Sequence, residues 1–162
     1  MTIWRTKLRG SEFKVTRFND APPSGSALDN PERLVDYLRL KLADSLIYRP
    51  DVENFIVVHL NARRHAIGFE IISTGTLDAL LVHAREVFKS AIVMNASAIA
   101  LAHNHPSGEP SPSEADIKVT RDLIRAGQLL KIEVLDHVVL GQTTPDRPKA
   151  WASLRELGFF YS

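Results

Sequence analysis

Residues 97–116 read SAIALAHNHPSGEPSPSEAD, and the fold is decided in that stretch. The run Ser97 to Ala102 is short, apolar and cut off by an abrupt change to polar residues, as expected of a buried central strand. His103 and His105 stand two apart at the end of that strand, so they project from one face and their imidazoles can converge on one point. A proline-rich loop then turns the chain. Ser111-Pro112-Ser113-Glu114 supplies a helix start in which Ser111 caps, Pro112 takes the first helical position and Glu114 completes a capping box. The new helix brings Asp116 back towards the histidines within its first two turns. Ser113, three residues earlier, shares that face. The unit is a strand, a loop and a returning helix.

Working upstream, Val87, Phe88, Ala91 and Ile92 form the buried stripe of a helix over Arg85 to Asn95. Before it, FIVVHL (55–60) and HAIGFEIIS (65–73) flank a polar turn at Asn61 to Arg64, giving a hairpin whose second strand is broken by Gly75. Asn30-Pro31-Glu32 opens another helix, with Leu34, Val35, Leu38, Leu42 and Leu46 at helical spacing and a stop at Pro50, so the helix is expected to reach Arg49. Ala21-Pro22-Pro23-Ser24-Gly25-Ser26 cannot hold a regular element, and residues 1–28 are expected to be an N-terminal arm ahead of one domain over 29–162. Downstream, the helix is expected to end near Gly127, Lys131 to Leu140 is strand material, and WASLRELGFF (151–160) is a short helix or strand end.

The chain of 162 residues suffices for one domain with a real core. It has no cysteine, which removes disulfides, thiolate nucleophiles and sulfur-based zinc sites, so any metal must sit on His, Asp or Glu. His103, His105 and Asp116 offer two nitrogens and a carboxylate oxygen, a set that suits a catalytic Zn2+ with one position left for water. Such an ion acidifies water and polarises a carbonyl near neutral pH. The net charge of +1, with both signs interspersed, gives no footprint for DNA or a membrane surface. Nothing in the sequence has the length of a bilayer span or the apolar core of a signal peptide, and a soluble, cytoplasmic protein is expected.

The pattern His-x-His-Pro, with Ser113 after seven residues and Asp116 after two more, resembles the JAMM motif of MPN-domain (JAB-domain) metalloproteases. HNHPSG after NASAIALA, together with FIVVHLNAR, STGTLDALLVHAREVFKSAI and LDHVVLG, resembles the RadC branch of that family over roughly residues 30–158. The resemblance implies a three-layer mixed sheet flanked by helices, related to the cytidine-deaminase-like architecture. It also implies a zinc metallopeptidase or isopeptidase acting on a peptide or isopeptide substrate. By position, His103, His105 and Asp116 are then the zinc ligands, Ser113 helps stabilise the oxyanion, and an upstream glutamate is general acid and base. Glu53, just ahead of FIVVHL, fits that role best, with Glu70 and Glu86 as the other candidates. Asn104 faces away from the ligands and is expected to fix the loop by hydrogen bonds. Of the remaining histidines, His59, His65 and His83 lack ligand spacing, whereas one side chain of Asp136-His137 can reach the ligands from behind. The alternative is a non-catalytic module associated with DNA repair or mobile elements. Nucleobase deamination on the related fold needs cysteine ligands and is set aside.

Overall fold

The computed structural model describes residues 2–8, 11–17, 26–75 and 82–161. Within the expected arm, β1 (Thr2–Leu8) and β2 (Ser11–Arg17) pair antiparallel from Thr2↔Arg17 to Leu8↔Ser11. The Pro-Pro-Ser-Gly stretch at 22–25 lies outside the described residues. Leu28 already belongs to the core, and its N–H donates to the Arg64 carbonyl.

The remaining elements are α1 (Pro31–Ala43), β3 (Asn54–Leu60), β4 (Ala66–Thr74), α2 (Ala84–Val93), β5 (Ala98–Asn104), α3 (Glu114–Leu130), β6 (Glu133–Leu140) and β7 (Trp151–Ser153). They build a five-stranded mixed sheet in the order β4-β3-β5-β6-β7, in which only β5 and β6 run parallel. A parallel pair needs a crossover, and α3 supplies it. The three helices flank this sheet, so the fold is the mixed α/β architecture expected.

Strand alternation sorts the core into two layers. Ile56, Val58 and Leu60 of β3 and Ala98, Ala100 and Ala102 of β5 face α1, where Leu34, Val35, Leu38 and Leu42 cover them. Phe55, Val57, Ile99 and Leu101 face the other way, onto Val87, Phe88 and Ala91 of α2 and Val119 and Leu123 of α3. His103 continues this second parity, which places the metal-type side chains on the α2/α3 side of the sheet.

The three helices of the described residues each differ in detail from expectation. Helix α1 stops at Ala43, capped by the Asp44 N–H on the Leu42 carbonyl, six residues short of Arg49. Leu42 is its last core contact, and beyond it Asp44 and Ser45 are poor helix formers while Leu46 is fully exposed. Helix α2 buries Ser90 rather than Ile92, which is 57% exposed. Helix α3 starts after Ser113, not Ser111, and runs past Gly127 to Leu130. Pro112 holds Ser111 extended, and Ser111 donates instead to Glu109. Gly127 is a contact residue rather than a terminator, since a Cβ there would lie 2.4 Å from the Ile132 carbonyl oxygen.

Candidate metal centre

Strand β5 ends at Asn104, with the His103 ring fully buried and the His105 ring half-buried at the sheet edge. Asp116 reaches them from the first turn of α3. Ser113 is the N-cap: its hydroxyl and its N–H both donate to Asp116 Oδ2, at 2.7 Å each, while the Asp116 N–H returns to Ser113 Oγ at 3.2 Å. The capping box therefore does two jobs, closing the helix end and holding a carboxylate over the strand. Glu53 comes from a different direction. Because Phe55 pairs with His103 in the antiparallel ladder, the residue two earlier falls beside His105.

The donor atoms meet closely. His103 Nε2 lies 3.0 Å from His105 Nε2 and 3.4 Å from Asp116 Oδ1, and His105 Nε2 lies 3.6 Å from Asp116 Oδ2. Glu53 Oε1 is 3.9 Å from His103 Nε2 and 3.7 Å from His105 Nε2. All four residues present ligand atoms within 4.8 Å of one another. Tetrahedral bonds of about 2.1 Å put neighbouring ligand atoms about 3.4 Å apart, which is the spacing found here.

The chemistry of the donor set fits a cation as well as the distances do. His105 Nδ1 sits 2.7 Å from the Glu109 carbonyl, which only accepts, so the ring proton is on Nδ1 and Nε2 is a bare lone pair in the neutral ring. That lone pair faces the other imidazole and two carboxylates. Burial alone would raise the Asp116 carboxylate, but in the metal-free site hydrogen bonds from the protonated faces of His103 and His105 outweigh that and hold it well below its usual range, so that an ion displaces protons when it binds. His105 is shifted up, first by its bond to Asp116 and against the effect of burial. Nitrogen and carboxylate oxygen, without sulfur, are the ligands zinc takes in hydrolytic centres.

The loop supporting His105 is itself fastened. Arg147 pairs with the Glu109 carboxylate and donates to the carbonyls of Gly108 at 2.7 Å and Gln142 at 3.2 Å. On the opposite face of β5, Asn104 accepts at 2.9 Å from both the N–H and the side-chain amide of Asn54, and donates at 2.9 Å to the Val52 carbonyl. The residue between the two histidines thus makes loop-fixing hydrogen bonds rather than joining the donors, and the segment it ties down is the one carrying Glu53.

Glu70 and Glu86 lie outside the cluster. Glu70 is on β4, half-buried and shifted up by desolvation, and Glu86 pairs on the surface with Lys89 at 3.0 Å. His59 is fully buried, with Nε2 2.9 Å from Ser90 Oγ. His83 occupies the N-cap position of α2 without making a side-chain cap bond.

Asp136 and His137 divide their tasks. A register shift between β5 and β6 sets Ile99 opposite Val134 but Leu101 opposite His137, turning His137 towards α3. Asp136 accepts the N–H freed there at 2.7 Å and binds Ser153 Oγ and the Arg155 N–H. His137 Nε2 lies 2.8 Å from His103 Nδ1, and His137 Nδ1 lies 2.6 Å from Thr120 Oγ1. Thr120 carries no motif that marks it in the sequence. It stands one turn after Asp116 on the same face, the signal by which helical spacing identifies it.

A family model described as RadC-like JAB domain matches residues 28–159. The chain is 44% identical over 142 residues to a UPF0758 protein of Symbiobacterium thermophilum, covering 88% of this chain and 56% of that one. It is 52% identical over 100 residues to a UPF0758 protein of Moorella thermoacetica, covering 62% of this chain and 43% of that one. A UPF0758 protein of Methanosarcina mazei is 42% identical over 107 residues, covering 66% of this chain and 44% of that one. The chain spans about half the length of the curated relatives it matches.

Proposed function

The chain belongs to the RadC-like JAB domain family, and from that premise we propose that it is a zinc-dependent hydrolase of peptide or isopeptide bonds. The observation that carries this reading is the convergence of His103, His105 and Asp116 on one point, with Glu53 Oε1 less than 4 Å from both imidazoles. His103 Nε2, His105 Nε2 and Asp116 would hold the ion. When bound, zinc supplies Lewis acidity, acidifying water and polarising a carbonyl.

The other steps belong to the protein. Glu53, half-buried beside the two rings, takes a proton from the attacking water and delivers it to the leaving amine. The Ser113 N–H keeps Asp116 in place, which frees the Ser113 hydroxyl to rotate and donate to the oxyanion as charge develops. The Asn54–Asn104 pairing holds Glu53 at a fixed distance from the histidines, as proton transfer requires.

The test is metal analysis of protein purified without chelator, paired with a panel of fluorogenic peptides and isopeptide-linked conjugates. Zinc near one equivalent, with cleavage lost in Glu53→Gln at unchanged zinc content, is the expected result. A loss of about 10²- to 10⁴-fold in turnover is the scale of a missing general base. Absence of zinc from wild-type protein overturns the reading. Zinc without cleavage of any conjugate replaces it with the non-catalytic binding module.

A further inference from the structure

Behind the candidate metal centre a line of polar groups runs through otherwise apolar core. His103 Nδ1 meets His137 Nε2 at 2.8 Å, His137 Nδ1 meets Thr120 Oγ1 at 2.6 Å, and Thr120 Oγ1 donates to the Asp116 carbonyl oxygen at 2.6 Å. His103, His137 and Thr120 are all fully buried. Bulk solvent does not reach these groups, so the bonds have to be consistent in direction along the line.

The direction is set at its far end. The Asp116 carbonyl can only accept, so the Thr120 hydroxyl proton belongs to that bond and the Thr120 lone pair faces His137. His137 then carries its proton on Nδ1. Its Nε2 is left to accept, which requires the proton of His103 to be on Nδ1. The outcome is that His103 Nε2 is bare where it faces His105 and Asp116. His105 Nδ1 is engaged by the Glu109 carbonyl, so its Nε2 also faces the shared point, 3.0 Å from His103 Nε2, and can donate to that lone pair until an ion takes the place of the proton.

We propose that Thr120 and His137 are positioning residues that hold His103 in the Nδ1–H tautomer and so ready its Nε2 for a metal ion. The proposal rests on the metal reading above. It adds that the readiness is built into the protein, from α3 and β6, before any ion arrives. Asp116 and Thr120 are one turn apart on α3, so the same helix face presents one ligand and fixes the proton of another.

The experiment compares wild type, Thr120→Val and Thr120→Ser. Valine keeps the shape and removes the hydroxyl; serine keeps the hydroxyl. Two-dimensional ¹⁵N NMR of the imidazoles in metal-free protein, in mildly alkaline solution, reads each tautomer directly. Zinc affinity is measured by competition with a chromogenic chelator, and thermal unfolding checks that each variant is folded. Expected are the Nδ1–H form of His103 in wild type and serine variant and the Nε2–H form in the valine variant. Zinc affinity should fall about 10- to 100-fold for valine, the usual cost of removing a group behind a ligand, and recover for serine.

A His103 found as Nε2–H in wild type overturns the proposal, and so does a folded valine variant that binds zinc as wild type does. If wild type binds no zinc, the metal reading falls, while the tautomer spectra still decide the role of Thr120 and His137. Should Thr120→Val fail to fold, His137→Gln gives the same comparison: its spectrum must show His103 released from the Nδ1–H form, and an unchanged His103 signal overturns the assignment.

Discussion

His59 shows how much one buried ring can weigh. It is fully buried beside Ser90, and desolvation depresses it from 6.5 to about 4. Between those values the unfolded chain takes up a proton that the folded protein refuses, so stability is complete above 6.5 and drains away as pH falls towards 4. The shift corresponds to about 3 kcal/mol, counting about 1.36 kcal/mol per unit. Denaturant unfolding across this range should show that loss in wild type and a flatter profile in His59→Gln, whose amide can still meet Ser90; equal slopes would remove His59 as the cause. Burial of this ring was not legible in the sequence, where His59 reads like any polar residue in a hairpin. His103 and His105 were legible, because alternation along a strand is enough to put positions two apart on one face. Glu53 was named on resemblance, and its nearness to His105 follows from the β3–β5 register, which no local pattern encodes.

At the scale of an element, α3 carries more than its hydrophobic stripe. Its capping box unites Ser113 and Asp116, so Ser113→Ala should cost about 1 kcal/mol through the lost cap and also weaken zinc binding by loosening the carboxylate. Calorimetry and chelator competition read the two effects separately, and a variant that loses stability alone would show that Asp116 needs no such tether. Further along, Gly127→Ala should destabilise by about 1 to 3 kcal/mol despite the better helix former, because the new methyl would meet the Ile132 carbonyl oxygen at 2.4 Å and Phe88 at 3.2 Å. A neutral or higher melting temperature would mean that β6 yields at that crossing. The sequence foretold a helix here from Ser-Pro-Ser-Glu and its periodic apolar residues, but set its start two residues early. Proline is acceptable at a first helical position, and only the carboxylate of Asp116, closing back on Ser113, decides between the two starts.

Over the whole molecule, the candidate centre draws Glu53 from the lead-in to β3, His103 and His105 from β5 and the following loop, and Asp116 from α3, with His137 of β6 behind them. The strand histidines and the helix carboxylate meet only in the folded state, so an ion that needs His103, His105 and Asp116 together binds the native form and scarcely the unfolded one. Zinc at about 100 times its dissociation constant should then stabilise by about 2.7 kcal/mol, raising the melting temperature by roughly 5 to 10 °C. The rise should vanish in Asp116→Ala, and a wild-type melting temperature indifferent to zinc would argue against a site formed on folding. Among the described residues no helix is long and apolar enough to cross a membrane. The sheet order and the single parallel pair were the parts of the fold least visible beforehand, since pairing is settled by which faces bury each other and not by any one segment. That topology also separates two things the proposed hydrolase would need. Three of the four donors belong to one continuous stretch, 103–116, whereas Glu53, the proposed proton carrier, arrives ahead of a neighbouring strand, held through the amides of Asn54 and Asn104. On the proposed reading, grip and turnover would therefore mutate independently: a chain that lost Glu53 would keep its grasp of the ion and become a scaffold by one substitution.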